Sequence, residues 1–242
     1  MKTGRDGKEE MYLLYPKVCI LCKKVLPFCD RKKGVCPSCK EKLRFVGENR
    51  CRICGKELTV PLETRCKDCK AHAHQFDAGR SLLLYQGEIK TAMYKFKYSN
   101  ARYMADFFGK AAAKRYGDWI RHYRVEAIIP VPMYPGKKRS RGYNQAEVFA
   151  KALGKHLKIP VRSDLVERKK NTVPQKCLTR EQRKENLKNA FKIKGHGVKL
   201  NCVLIVDDIY TTGSTMDAVA KVLKRYGVER VLCLTICIGA DT

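Results

Sequence analysis

Two adjacent carboxylates follow an apolar run in the C-terminal part of the chain, and a hydroxyl-rich turn comes soon after them. The run Val203–Val206 leads into Asp207 and Asp208, and the turn Thr211–Thr215 contains Gly213. Such a run is typical of a buried strand in a parallel sheet, and open α/β sheets bind ligands at the carboxyl ends of their strands. A turn that begins a helix there directs backbone N–H groups at one point, which suits a phosphate. The carboxylates repel phosphate, so we expect them to face hydroxyl groups or a cation.

A simpler interpretation is a helix that is capped by Ser214 or Thr215 after a core strand. That interpretation leaves the two acids unexplained, because carboxylates are costly to bury without partners. We therefore favour a ligand site. Its side-chain hydroxyl donors would be Thr211, Thr212, Ser214 and Thr215.

Cysteine spacing predicts a second kind of site near the N-terminus. Nine of the thirteen cysteines precede Lys70, and eight of these form four C-x-x-C pairs. Two pairs can surround one Zn²⁺ with a tetrahedral shell that leaves no position open, so we expect two structural zinc sites. An iron–sulfur cluster fits the same spacing, whereas a redox dithiol needs one motif that opens a helix after a strand. Which pairs combine is left open by the spacing, and we expect neighbours in sequence to do so. The predicted zinc ligands are Cys19, Cys22, Cys36, Cys39, Cys51, Cys54, Cys66 and Cys69.

Two histidines, His72 and His74, closely follow the last pair. An exchange of one of them for a cysteine ligand is conceivable, but we interpret both as ordinary surface residues. The cysteine-rich segment has few apolar residues, so bound metal would supply much of its stability.

Apolar residues recur with the spacing of strands and helices only after about Gln75, so the elements that position the acid pair must lie there. We therefore divide the chain into residues 1–75, a double zinc-ribbon module, and residues 76–242. Strands alternate with helices in the second part, which predicts right-handed crossovers and an α/β fold whose mostly parallel sheet is flanked by helices. A basic loop is expected at 137–142. The predicted strands cover 80–85, 126–129, 203–206 and 230–238, and the predicted helices start after Gly87 and cover 103–116 with Gly117 as C-cap, 145–157, 179–188 and 215–226.

The charge balance favours a polyanionic partner. The chain has 51 Lys and Arg against 24 Asp and Glu, a formal net charge of +27, and each phosphate that it neutralises releases condensed counterions. A solvated basic surface and an anionic membrane surface fit the same charge. The segment Tyr94–Tyr98 interleaves aromatic residues with lysine, which suits both base stacking and the core face of a helix. Neither a membrane span nor a secretory leader is expected, which predicts a cytoplasmic protein.

The segment from Val203 to Thr215 resembles the phosphoribosyl pyrophosphate (PRPP) motif of type I phosphoribosyltransferases. The resemblance implies that the acid pair binds the ribose hydroxyls as the catalytic residues and that the turn holds the 5′-phosphate. It also implies a pyrophosphate loop at 130–132, after the first core strand, and a mobile basic flap that Gly142 allows to move. The implied catalytic residues are Asp207 and Asp208, and the implied ligand-binding residues are Val131, Pro132, Arg139, Arg141, Thr211, Thr212, Gly213, Ser214 and Thr215.

With the four cysteine pairs ahead of this domain, the chain resembles the ComF/GntX family over nearly its full length. The resemblance implies a type I phosphoribosyltransferase-like fold behind zinc ribbons, and a role in DNA uptake during natural transformation or in the use of DNA as a nutrient. Its implied partners are single-stranded DNA, PRPP or another ribose phosphate, and a helicase-like competence protein at the inner face of the cell membrane. The matching stretches are the cysteine pairs, Phe96–Lys97, Arg141–Gln145, Gln175 with Arg183, Asn186, Ala190–Phe191 and Val203–Thr215.

Three functions follow from these observations. The first is a factor that binds single-stranded DNA and retains a PRPP-type pocket. The alternative is an active phosphoribosyltransferase that uses PRPP with Mg²⁺ on an unidentified acceptor, and the third is a scaffold that keeps the fold without using a ligand. No acceptor-recognition motif is visible, so whether the protein is an enzyme stays open.

Overall fold

The computed structural model describes residues 16–31, 33–169, 180–187, 189–194 and 199–239. Short pieces come first: a 3-10 turn at Phe28–Asp30 and the helices α1 (Pro37–Lys40) and α2 (Lys67–Ala71). Strands and helices then follow as β1 (Ala78–Leu84), α3 (Glu88–Tyr98), α4 (Met104–His122), β2 (Ala127–Pro130), α5 (Pro135–Arg141), α6 (Gln145–Leu157), β3 (Val166–Arg168), α7 (Arg180–Leu187), β4 (Phe191–Ile193), β5 (Cys202–Tyr210), α8 (Ser214–Arg225) and β6 (Arg230–Ile238).

The main sheet has four parallel strands in the order β1-β6-β5-β2, and β3 and β4 form a separate antiparallel pair. The strand β5 is apolar on both faces because helices cover both sides of a parallel sheet. Pro130 ends the outer strand β2. The Ile128 N–H points outward to Pro160 O, and the Val131 N–H points inward to Val206 O. The N–H that Pro130 lacks therefore falls on the outer side, where the main sheet loses no ladder bond.

Alternate residues of β5 belong to two different apolar clusters, one on each face of the sheet. Leu204 and Val206 pack with the residues of α3, α4 and α6, whereas Val203 and Ile205 pack with those of α8. The cysteine-rich segment contributes to both clusters. Cys19 and Cys39 lie in the first, and Cys51, Cys54, Cys66 and Cys69 lie in the second.

The cysteine-rich segment also covers the β1 edge of the sheet. Phe45 forms an antiparallel bridge with Leu83, the Val46 N–H donates to Leu82 O, and the Leu84 N–H donates to Arg44 O. An exposed edge strand is prone to pair with other chains, and this added segment removes that risk. In the part of the chain that the structure describes, no helix is both long and apolar enough to cross a membrane.

Two local predictions are wrong. Gly117 does not end a helix: α4 continues to His122 because Trp119 and Ile120 extend its packed face. The expected basic loop at 137–142 is the helix α5. Pro135 occupies its first turn, and Gly142 ends it with φ +83°, and both positions are typical for these residues.

Other predictions are confirmed or nearly so. The bounds of α6 are those expected, and Asn144 caps it by accepting the Ala146 N–H. The strand β5 extends beyond 206 as far as Tyr210, and α8 begins one residue earlier than expected. The predicted start of α7 at Thr179 lies outside the described residues.

Candidate functional site

The eight predicted zinc ligands form two separate groups of four, each made from pairs that neighbour one another in sequence. Both groups are built alike. The first pair of each lies in a tight hairpin, and the second pair begins at the residue before α1 or α2. Gly55 turns the second hairpin with φ +78°, and a Cβ there would lie 2.7 Å from Gly79 O. This hairpin therefore packs directly on β1.

The sulfur positions fit one metal ion in each group. All four Sγ atoms of a group lie within 4.8 Å of one another. Cys22 Sγ is 3.8 Å from Cys36 Sγ, and Cys54 Sγ is 3.6 Å from Cys66 Sγ. Four sulfurs at about 2.3 Å from one ion in a tetrahedron lie about 3.8 Å apart, whereas a disulfide bond is about 2.05 Å long. The compact spacing fits a single ion better than a cluster whose thiolates bind different iron atoms.

The two groups differ in exposure. All four cysteines of the second group are buried, whereas Cys22 of the first is exposed and Cys36 is half-buried. The second group also borders the apolar cluster that holds α8 against the sheet. We therefore expect it to contribute more to the stability of the sheet domain.

Neither histidine belongs to a cysteine group. The ring of His72 contacts Asp68 O at 3.3 Å. The interpretation of His74 as a surface residue is wrong: its side chain is only 1% exposed, and Nδ1 lies 2.9 Å from Asp217 Oδ2 in the first turn of α8. The other oxygen of Asp217 accepts the Gln75 N–H at 2.7 Å. Asp217 therefore ties the segment that follows the second cysteine group to α8.

The acid pair lies in the last part of β5, a strand flanked on both sides by other strands. Asp207 is in register with Thr235 of β6, and its Oδ1 accepts the Asp208 N–H at 2.8 Å. Burial, followed by the negative charge of Asp208, raises the pKa of Asp207 from 3.8 to about 7. Asp207 therefore keeps its proton to a higher pH than an exposed aspartate does, and a cation bound beside it would favour loss of that proton to solvent.

Lys97, at the end of α3, is the partner of the second acid. Its Nζ lies 2.8 Å from Asp208 Oδ2, and both side chains are largely buried. Burial, the largest single influence, lowers the pKa of Lys97, but the charge of Asp208, the hydrogen bond to it and the charge of Asp207 together outweigh burial, so that the pKa is raised. This ion pair joins α3 to the site.

The turn after β5 has a backbone that only glycine readily adopts. Gly213 precedes the first residue of α8 with φ +78°. A Cβ there would lie 2.4 Å from Tyr210 Oη and 2.8 Å from His74 Cε1. Thr212 Oγ1 and Ser214 Oγ lie 2.9 Å apart across the turn. The first N–H groups of a helix have no partner within it, so the turn presents donors just beyond the acids.

The expected pyrophosphate loop lies beside the end of β5. The Val131 N–H donates to Val206 O at 2.9 Å, and the Asn144 side-chain amide holds Val131 O at 2.9 Å. Pro132 follows and lines a cavity of about 390 Å³ together with Lys138 and Arg168. The loop therefore adjoins the strand that carries the acid pair, whereas neither Asp207 nor Asp208 lines the cavity.

The two predicted arginines both belong to α5 but differ in placement. Arg139 is exposed. Arg141 donates to Gln145 Oε1 at 2.9 Å, and Gln145 Nε2 donates to Lys97 O at 3.4 Å. Arg141 is thereby connected to Lys97, which pairs with Asp208, and Arg139 has no such connection among the described contacts.

Sequence reasoning did not identify three residues at this site. Lys97 was visible only as part of a matching stretch, and nothing near it in sequence pointed to an acid more than a hundred residues away. His74 and Tyr210 lie under the glycine turn, and only the folded chain brings them there.

Two family models match separate parts of the chain. A family model described as a double zinc ribbon domain matches residues 11–70, and one described as a phosphoribosyl transferase domain matches residues 144–242. The cysteine groups are thus those of a double zinc ribbon, which indicates structural zinc.

Relatives of known name are similar over most of the chain. "Competence protein F" of Haemophilus influenzae is 31% identical over 88% of this chain and 93% of its own. "Competence protein ComFC" of Streptococcus pneumoniae is 27% identical over 88% and 96%, and "DNA utilization protein YhgH" of Escherichia coli K12 is 26% identical over 93% and 98%. The chain carries both of the expected domains in the expected order and therefore belongs to the ComF family of competence and DNA-utilization proteins.

Proposed function

We propose that this protein binds single-stranded DNA during DNA uptake or DNA use and retains a pocket for PRPP or another ribose phosphate. The single observation that supports the pocket most strongly is the acid pair at the carboxyl end of β5, beside a helix start that only glycine can form. The names of the relatives supply the process, competence or DNA utilization. We place the protein in the cytoplasm, beside a helicase-like competence protein at the inner face of the membrane.

The pocket would bind the sugar and its phosphates with different groups. Asp207 and Asp208 would accept hydrogen bonds from the ribose hydroxyls. Two carboxylates would repel a phosphate, so they would not bind the phosphates themselves. The turn Thr211–Thr215 would hold the 5′-phosphate with backbone N–H groups and hydroxyls. Val131 and Pro132 would contact the pyrophosphate, with Arg139 and Arg141 neutralising its charge. Mg²⁺ bound to the pyrophosphate would neutralise its remaining negative charge.

Calorimetry with PRPP and Mg²⁺ tests this pocket. The wild-type protein should release or absorb heat on binding, and a double variant with Asp207→Asn and Asp208→Asn should bind at least about tenfold more weakly, because each lost charged hydrogen bond is worth roughly 1.5–3 kcal/mol. Asp118→Asn is a matched control, since that carboxylate pairs with Arg121 at the surface. Equal binding by wild type and double variant, or no binding by either, would remove the pocket from the proposal.

Binding of single-stranded DNA is supported by the charge of the chain. The surplus of basic residues gives a formal net charge of +27, and binding through phosphates weakens steeply as salt rises. Fluorescence anisotropy of a labelled oligonucleotide at low and at physiological salt measures this dependence. An affinity that does not change with salt, or no binding at low salt, would refute the DNA-binding part.

The alternative function is transfer of the phosphoribosyl group to an acceptor. The cavity of about 390 Å³ beside Pro132 favours it, because an acceptor held there would adjoin the pyrophosphate loop. The acceptor's electron pair would form a bond to ribose C1 as the bond from C1 to the pyrophosphate oxygen breaks, and pyrophosphate would leave with that bond's electrons. The acceptor's proton would pass to solvent or to a carboxylate. Release of pyrophosphate from PRPP, measured with a mixture of nucleobases as acceptors, would support transfer, and its absence would leave the first function alone.

A further inference from the structure

Tyr94 and Tyr98 form an aromatic pair on the outer face of α3. Their ring centroids are 4.9 Å apart, and the residues are 60% and 55% exposed. The third aromatic residue of the segment, Phe96, is fully buried among the helices of the first apolar cluster. The segment thus divides its aromatic residues between the core and the solvent, and the two tyrosines are not needed to fill the core.

Cations surround this pair. The Arg141 guanidinium carbon lies 4.8 Å from the centroid of the Tyr98 ring. Lys90 is exposed and stands four residues before Tyr94, so that both lie on one face of the helix. The only carboxylate of α3, Glu88, is paired with Lys42 at 3.0 Å. The surface around the tyrosines is therefore positively charged.

Hydrogen bonds hold the pair beside the acid site. Gln145 accepts from Arg141 at 2.9 Å and donates to Phe96 O at 3.3 Å and Lys97 O at 3.4 Å. Lys97, the neighbour of Tyr98 in the chain, is the partner of Asp208. The position of Arg141 over Tyr98 is therefore set by the same contacts that build the site.

We propose that Tyr94, Tyr98 and Arg141, together called the tyrosine platform, stack against the bases of single-stranded DNA. This inference rests on the proposed function and names the surface that performs it. Exposed aromatic rings beside cations bind bases of any sequence, since every base has a flat face. Lys90 and Lys95 of the same helix would neutralise the backbone phosphates of the bound strand. A strand held there would run past the edge of the ribose-phosphate pocket.

The competing explanation is that the tyrosines only support α3, since aromatic pairs four residues apart stabilise helices. Fluorescence anisotropy with two oligonucleotides of equal length, an oligothymidine and an abasic strand, separates the two explanations. The wild-type protein should bind the oligothymidine about tenfold or more tightly than the abasic strand, because only the former can stack. Tyr94→Ala with Tyr98→Ala should bind both strands alike.

Three further variants serve as controls. Tyr94→Phe with Tyr98→Phe keeps the rings and should keep the preference for bases. Tyr103→Ala removes an exposed tyrosine outside the pair and should leave binding unchanged. Arg141→Lys keeps the charge but loses the flat guanidinium, and should weaken binding of the oligothymidine more than that of the abasic strand.

The outcomes separate this inference from the proposed function. If the wild-type protein binds neither strand, DNA binding itself fails, and the platform fails with it. If the wild-type protein binds the oligothymidine and the double alanine variant binds it equally well, the platform alone is refuted. The platform alone is also refuted if the wild-type protein binds the abasic strand as tightly as the oligothymidine. Thermal unfolding and calorimetry with PRPP on each variant show whether a loss reflects damage to α3 or to the pocket.

Discussion

Replacement of Asp207 by Asn should make the protein more stable at neutral and alkaline pH. Burial and the charge of Asp208 raise the pKa of Asp207 from 3.8 to about 7, so the folded protein keeps a proton that the unfolded chain loses above pH 3.8. The contribution of Asp207 to the stability of the wild-type protein therefore falls as pH rises from about 4 to about 7 and then levels off. Asn is neutral at every pH, and its side-chain oxygen can still accept the Asp208 N–H.

The magnitude follows from the displacement of the pKa. About three pH units at about 1.4 kcal/mol each give a ceiling of roughly 4 kcal/mol. Between pH 5.5 and 7.5, the free energy of unfolding of Asp207→Asn should rise relative to that of wild type by about 1.5–2 kcal/mol. The measurement is urea unfolding of the zinc-loaded proteins at several pH values. Subtracting one free energy of unfolding from the other removes the contribution of the groups that titrate in both proteins.

Asp164→Asn is the control for this measurement. That carboxylate pairs with Arg162, which lowers the pKa of Asp164 below its ordinary value. Its titration is complete well below pH 5.5, so the difference between this variant and wild type should stay constant over the range. A constant difference for Asp207→Asn as well would show that Asp207 is ionised in the folded protein and would refute the reasoning.

Three other changes have definite expected results. Gly213→Ala should lower the free energy of unfolding by at least about 1–2 kcal/mol, because alanine is strained at φ +78° and its Cβ would collide with Tyr210; unchanged stability in urea would contradict the geometry of the turn. Lys97→Met should cost roughly 2–4 kcal/mol by leaving Asp208 largely buried and without its partner. The control Lys151→Met should cost under about 1 kcal/mol, because Lys151 is exposed and Glu147 keeps its ion pair with Lys138. Cys51→Ser should lower the unfolding temperature more than Cys22→Ser, because Cys51 is buried against the cluster of α8 and Cys22 is exposed; the reverse order, or equal shifts, would contradict the role assigned to the second cysteine group.

The sequence was informative wherever the neighbours of a residue in the chain decide its structure. The strand β6 and the helix α6 have the expected bounds because their apolar periods are unbroken and turn residues flank them. The cysteine pairs were equally clear, since a C-x-x-C spacing is meaningful by itself. The partition into two groups then needed only the expectation that neighbouring pairs combine.

The errors arose where distant contacts decide the structure. Gly117 lies within α4, and a Cβ there would be only 3.3 Å from a side-chain atom of Leu157, so close packing of two helices, and not a helix end, explains this glycine. His74 is polar and follows a cysteine pair, yet Asp217 and Phe76 bury it. The partner of Asp208 could not be found from spacing, because Lys97 belongs to a different helix. Ion pairs across a fold carry no periodic signal in the chain.

The pairing of β1 with β6 has a consequence for the order in which the chain folds during synthesis. Ala78 is in register with Leu232, so the first strand of the sheet lies against the last. The ribosome releases the zinc ribbons long before β6 exists, and their hairpins can take up metal while most of the sheet is still unmade. The edge on which they rest is completed only when nearly the whole chain has emerged. A premature stop that removes β6 would therefore leave metal-loaded ribbons attached to a strand with no neighbour in its own sheet.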